Sequence, residues 1–156
     1  MKRRNFLLTS LLAAPLGSFA KFKNYTRVKK GILVRAGEER FKETFPIGLK
    51  VSSQDTDGDL SVLVSKAQIL LDKEGKPLHV GPPLHFHLYQ DEIFFILEGE
   101  FLFQVGDDKF NLKPGDTLFG PRQVPHAFVN TSDTQGSVMT IFQPSGKMED
   151  FFRKLR

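Results

Sequence analysis

Cysteine is absent from all 156 residues. That excludes disulfides, thiolate metal sites, a cysteine nucleophile and a lipid-modified N-terminal cysteine. Any metal site must then be built from histidine and carboxylate. Tryptophan is also absent and tyrosine occurs twice, whereas phenylalanine occurs 16 times, 14 of them after residue 20. The interior is therefore expected to be lined by rings without a polar handle, which suits an apolar ligand. The apolar stretch 6–16 falls short of the roughly 20 residues that span a bilayer. With 40% hydrophobic and 26% charged residues, the composition fits one globular domain.

The formal charge of +4 raises nucleic acid as a partner. Its distribution argues otherwise. Residues 1–20 hold Lys2, Arg3 and Arg4 and no acid, and residues 21–30 hold Lys21, Lys23, Arg27, Lys29 and Lys30 and no acid. Residues 31–156 carry 14 basic and 18 acidic side chains, a net of −4. The basic excess is confined to the N-terminal end, and no aromatic-basic interleaving occurs in the body, so no nucleic-acid partner is expected.

Residues 1–20 have the three parts of a secretory signal: a basic start, an apolar middle and the small-residue ending Ser18-Phe19-Ala20. Arg3-Arg4-Asn5-Phe6-Leu7 resembles the twin-arginine export motif, with Sec export as the alternative. The expectation is a periplasmic protein with no stable membrane anchor once 1–20 is cleaved. Residues 21–30 then form a basic arm and 31–156 a single domain. An uncleaved amphipathic tail is the plain alternative.

From residue 31 onward, short β-branched and aromatic runs alternate with Gly, Pro, Asn and Asp, which predicts an all-β domain. Strands are expected at 31–35, 47–52, 60–71, 84–88, 92–98, 100–105, 108–112, 117–119, 126–130 and 137–143. So many short strands imply a sandwich or barrel. One helix is expected over 145–155, where Met148, Phe151, Phe152 and Leu155 fall at i, i+3, i+4 and i+7. It is expected to pack this face on a sheet or on a second subunit.

The four histidines are His79, His85, His87 and His126. In His85-Phe86-His87 the period of an extended chain sends both imidazoles to one face. Two such nitrogens can chelate one metal ion. Glu92 opens the run Glu92-Ile93-Phe94-Phe95-Ile96-Leu97, which predicts a buried carboxylate in need of a partner or a metal. His126 likewise leads into a strand after Pro121 and Pro125. The same residues also admit a plain reading as polar groups at strand ends.

These spacings resemble the cupin superfamily. His85, His87, Glu92 and Gly99 match its first motif, and Gly115, Pro121, His126 and Asn130 its second, with 15 residues between them. Two positions depart from the pattern: His79 stands where a glycine is expected, with Gly81 close by, and Gln123 stands where the second motif has glycine. The resemblance implies a jelly-roll barrel, the double-stranded β-helix, with a short C-terminal helix. It also implies one divalent transition metal ion (Mn, Fe, Co, Ni, Cu or Zn) held by His85, His87, Glu92 and His126. Gly81-Pro82-Pro83-Leu84-His85-Phe86-His87, Asp91-Glu92, Pro125-His126-Ala127-Phe128 and Met148-Glu149-Asp150-Phe151-Phe152 look most like single-domain relatives of quercetin 2,3-dioxygenase.

On that resemblance Glu92 is both ligand and general base, with a pKa raised by burial, and the substrate is a flavonol-like or enediol small molecule. Phe94, Phe103, Phe119, Phe128 and Phe142 are candidates for an apolar substrate pocket, or else plain core. An isomerase or lyase using Glu92 or His79 is the alternative, with Tyr89, Glu43 and Lys50 the residues to inspect. A binding module without turnover is the third reading. A homodimer through an apolar sheet face or the N-terminal segment is expected.

Overall fold

The computed structural model describes residues 27–41, 47–68 and 70–155. The expected signal at 1–20, most of the basic arm and Glu43 lie outside the described residues. Among the described residues, ten strands and one helix follow in order: β1 (Gly48–Val51), β2 (Ser61–Ala67), β3 (Leu70–Leu71), β4 (Pro77–Leu78), β5 (Asp91–Glu98), β6 (Phe101–Val105), β7 (Asp108–Leu112), β8 (Thr117–Gly120), β9 (His126–Asn130), β10 (Gly136–Gln143) and α1 (Met148–Lys154). They form a five-stranded sheet in the order β1-β2-β10-β5-β8 and a three-stranded sheet in the order β7-β6-β9. β3 and β4 make a separate ribbon, and every pairing is antiparallel. Two packed sheets of short strands are what the strand spacing predicts, and the arrangement is the jelly roll that the resemblance implies.

Alternation along the strands decides what lies between the sheets. In β5, Glu92, Phe94 and Ile96 are buried, and in β6, Phe101 and Phe103 are buried. Phe94, Ile96, Phe101 and Phe103 form the main core together with Val138 of β10, and Phe128, Phe110 and Leu118 pack against it. Burial of rings of this size contributes about 1.5–3 kcal/mol each. The turn from β5 to β6 passes through Gly99 at φ 81°, with the Gly136 Cα only 2.9 Å from where a Cβ would stand.

A second core, Leu49, Leu63 and Phe142, is closed by Met148 and Phe152 of α1. The helix is shorter than the expected 145–155, and its apolar stripe divides: Phe151 and Leu155 stay exposed. Glu149, in the first turn of α1, is buried. Its carboxylate accepts from the Ser52 hydroxyl at 3.1 Å and from the Ser53 N–H, with Arg153 Nη2 at 3.2 Å. It therefore ties α1 to the β1–β2 loop.

Two expected strands do not form. Residues 31–35 are irregular and mostly exposed, because β-propensity without a paired neighbour makes no strand. Residues 84–88 form no strand, with bends at Leu84 and Leu88 and a single bridge between His85 and His126. Pro82 and Pro83 have no N–H to extend that ladder, and the His87 carbonyl is taken by the Gln123 N–H at 2.7 Å.

Candidate metal centre

The segment before β5 supplies His85 and His87, with Phe86 turned outward between them and 52% exposed. β5 supplies Glu92 from its buried register, and β9 supplies His126 as its first residue. One donor atom from each of the four lies within 4.8 Å of the others. Glu92 Oε1 is 2.5 Å from His87 Nε2, and Oε2 is 3.7 Å from His126 Nε2. The three imidazole centroids are separated by 4.6 Å, 5.1 Å and 5.5 Å.

Backbone carbonyls orient two of the rings. His85 Nδ1 lies 2.8 Å from the Pro83 carbonyl oxygen and His126 Nδ1 lies 3.0 Å from that of Val124. A carbonyl only accepts, so the proton belongs on Nδ1 and Nε2 keeps its lone pair. The Nε2 atoms of His87 and His126 are buried, make no hydrogen bond to any group other than the Glu92 carboxylate, and face its two oxygens at 2.5 Å and 3.7 Å. Buried polar atoms left without a partner are costly. A divalent cation at their point of convergence would satisfy both, and three nitrogens with one carboxylate suit a borderline metal while leaving up to two octahedral positions open. The residues fit the ion that the motifs imply.

The electrostatics refine the expectation for Glu92. Burial pushes its carboxyl up, as expected, but the imidazoles of His126 and His87 more than offset this, so the net direction is down. The expectation of a raised pKa is thus corrected: Glu92 is held as the carboxylate. Burial pulls His126 down, and the adjacent Glu92 overcomes it, so His126 moves up. His85 moves down, chiefly through burial.

The phenylalanines divide. The Phe142 ring stands 5.8 Å from that of His87, and Phe94 stands 5.9 Å from that of His126. Phe94, Phe103 and Phe128 pack on one another at 4.8–5.8 Å, with Phe103 fully buried, and fill the space beneath the histidines. Phe119 is 56% exposed and does not join them. It pairs with Ile93, between the inward Glu92 and Phe94, and so faces out. His79 is set apart as well: its Nδ1 lies 2.7 Å from the Asn130 carbonyl oxygen, at the opposite end of β9 from His126. Four residues of strand span about 13 Å. Tyr89 is 70% exposed, and Lys50 donates to the Glu38 carbonyl.

Sequence reasoning did not find the residues that hold the β8–β9 loop. Gln123, the position where glycine is expected, has φ 65°. A side chain in the left-handed region costs roughly 1–2 kcal/mol. Its N–H donates to the His87 carbonyl, and its Nε2 reaches the Leu88 carbonyl at 3.4 Å. Next to it, Arg122 pairs with Asp91 and holds the Asp91 carboxyl down to about 2. The one available signal was the departure from glycine at 123.

Residues 76–142 match the model of the cupin domain. A 67-residue segment is 34% identical to an uncharacterized protein of Methanocaldococcus jannaschii. That segment covers 43% of this chain and 54% of the relative, so the chain spans about half the length of the relative it matches. Among solved structures, an uncharacterized conserved protein with a double-stranded beta-helix domain from Klebsiella pneumoniae superposes with a TM-score of 0.55 at 15% identity, over 76% of this chain and 93% of that one. A predicted oxalate decarboxylase from Thermotoga maritima superposes with a TM-score of 0.50 at 19% identity, over 63% and 78%. At these identities the structures speak for the fold. The resemblance to the cupin domain rests on residues 76–142, and the solved structures agree with its double-stranded β-helix fold.

Proposed function

We propose that this cupin domain binds one divalent transition metal through His85, His87, Glu92 and His126 and acts as a dioxygenase on a flavonol-like or enediol small molecule. The observation that carries the metal reading is the pair of buried Nε2 atoms of His87 and His126, without any hydrogen-bond partner other than the Glu92 carboxylate on which they converge. When bound, the ion would supply Lewis-acid polarisation of an oxygen ligand. Glu92, charged at neutral pH, would accept the substrate hydroxyl proton. The least buried of the four, His85 and His87, mark the side from which substrate would enter, past Phe142. Sugar-type isomerisation calls for further acid-base groups, and Tyr89 is exposed while Lys50 is bonded to the Glu38 carbonyl, which favours the oxygenase.

Dioxygen uptake by the metal-loaded chain across a panel of flavonols and enediols tests this reading. Uptake should accompany loss of the flavonol absorbance. A fully metallated chain that binds these ligands and consumes no dioxygen would instead be a binding module.

We also propose export and self-association. Replacing Arg3 and Arg4 by lysine should retain the protein in the cytoplasm if 1–20 is a twin-arginine signal; unchanged export would point to Sec. On the outer face of the five-stranded sheet, Val62, Ile141, Ile93 and Phe119 lie in one row and Val64, Met139, Phe95 and Thr117 in the next. Neither row carries a charge. Lys66 and Glu98 flank Ser137 at the end of this face. A two-fold axis along β10 would set Lys66 of one copy against Glu98 of the other, a self-complementary arrangement that favours a second copy as the occupant. Light scattering should report a dimer for the wild type and a monomer for Phe95→Glu, and a monomeric wild type would dismiss the proposal.

A further inference from the structure

The four ligands come from two parts of the chain, so the β8–β9 loop must be held against the segment 85–92 for them to meet. Four contacts span the two, three of them seated at or beside a ligand and the fourth from Gln123 Nε2 to the Leu88 carbonyl at 3.4 Å. His85 and His126 exchange backbone hydrogen bonds of 3.1 Å and 2.7 Å. The Gln123 N–H donates to the His87 carbonyl at 2.7 Å. Arg122 grips Asp91, the residue before Glu92, three times: its main-chain N–H donates to Oδ1 at 2.8 Å, Nε to Oδ1 at 3.0 Å and Nη2 to Oδ2 at 2.5 Å.

The first two contacts rest on main-chain groups. Two of the three Arg122–Asp91 bonds come from the guanidinium and can be removed alone, leaving the main-chain N–H on the Asp91 carboxylate. The Arg122 and Asp91 side chains are 44% and 24% exposed, a setting in which an ordinary ion pair contributes little to stability. The forked guanidinium, reinforced by a main-chain N–H on the same carboxylate, instead defines one orientation of the two segments.

We propose that Arg122 and Asp91 are positioning residues that set the metal affinity of the centre by fixing Glu92 relative to His126 without touching the ion. This rests on the metal reading above. The sign of the effect separates positioning from simple charge. Removing a cation from beside a cation site would, by Coulomb's law alone, tighten binding. Loss of positioning weakens it.

The test titrates the full chain, freed of metal by a chelator, with Co²⁺. Binding is read by calorimetry and by the visible absorption of the bound ion in wild type, Arg122→Gln, Arg122→Lys, Asp91→Asn, the double variant Asp91→Asn/Arg122→Gln and, as a remote control, Arg27→Ala. Arg27 pairs with Asp59 and with no residue of the centre. Arg122→Gln should weaken Co²⁺ binding by about 10- to 100-fold, the range for loss of a partner that orients a ligand. Arg122→Lys should recover part of it, and the double variant should be no weaker than the worse single one, as expected of a unit. The metal-free unfolding midpoint should move by no more than about 2 °C, as for an exposed substitution. Binding by Arg122→Gln as tight as or tighter than wild type overturns the proposal, and so does weakened binding with a metal-free midpoint lowered by more than about 5 °C. A wild type that binds no Co²⁺ overturns the metal reading, and this inference falls with it.

Discussion

His126→Ala is expected to leave the chain without measurable stabilisation by divalent metal. In the wild type, free metal at about 100 times its Kd should stabilise the folded state by about 2.7 kcal/mol. For a domain of this size that raises the midpoint by roughly 5–10 °C. The variant loses one of the four donors, and the one that joins the second half of the site to the first. Losing a mere orienting partner costs about 10–100-fold in affinity, so losing a ligand should cost more than about 100-fold and erase the shift. His126 is also buried against His85 and Phe94, so the metal-free variant should be less stable in its own right. The comparison therefore belongs within each protein, with and without metal. A midpoint in the variant that rises as far as in the wild type would remove His126 from the ligand set.

Gly81→Ala should produce the largest loss of stability for the smallest change in side chain. A Cβ at Gly81 would stand 1.8 Å from the Phe128 carbonyl oxygen and 2.9 Å from its carbon, both backbone atoms that cannot swing aside. β9 is held along its whole length by β6, from Phe101↔Asn130 to Val105↔His126. The segment carrying Gly81 must therefore lift, and the two His85–His126 hydrogen bonds lie on its path. Overpacking costs about 1–3 kcal/mol, and each lost hydrogen bond about 0.5–1.5 kcal/mol. The expected loss is about 2–4 kcal/mol, read as a lower urea midpoint with an unchanged m-value. Metal affinity should fall with it, because His85 moves. Gly75→Ala offers the contrast: its Cβ would meet nothing within 4 Å, and only φ 78° opposes it, for a loss of roughly 1–2 kcal/mol. Equal losses at the two glycines would argue against the close approach at 81.

The candidate cluster was readable because the motif spacings name its members and each of them has a local cause. His85 and His87 stand on the same side of a three-residue stretch with Phe86 outward between them, so the absence of a regular ladder at 84–88 did not disturb it. Glu92 is buried because it shares the inward register of Phe94 and Ile96. The same reasoning failed for Phe119, because parity along one strand does not say which face is inward until the neighbouring register is known. Ile32 and Leu33 show a similar limit: they have strand propensity and no partner, and both are exposed. Glu149 has a suitable place in the first turn of its helix, and nothing in its neighbours predicts that Ser52 and Ser53 lie against it.

The residue types and their local periods determined that this chain builds an all-β domain and that a metal centre without cysteine falls to histidine and glutamate, while the four candidates His85, His87, Glu92 and His126 come from motif spacings that resemble the cupin superfamily. The first two conclusions follow from chemistry and from side-chain directions set within a few bonds. The tertiary structure decided that Phe103 fills the core beneath the histidines, that Phe119 faces out, that His79 sits at the far end of β9, and that Arg122 and Gln123 hold the His126 loop in place. Each of those depends on pairing between residues distant in the chain, and such pairings are selected by the packing of the whole fold.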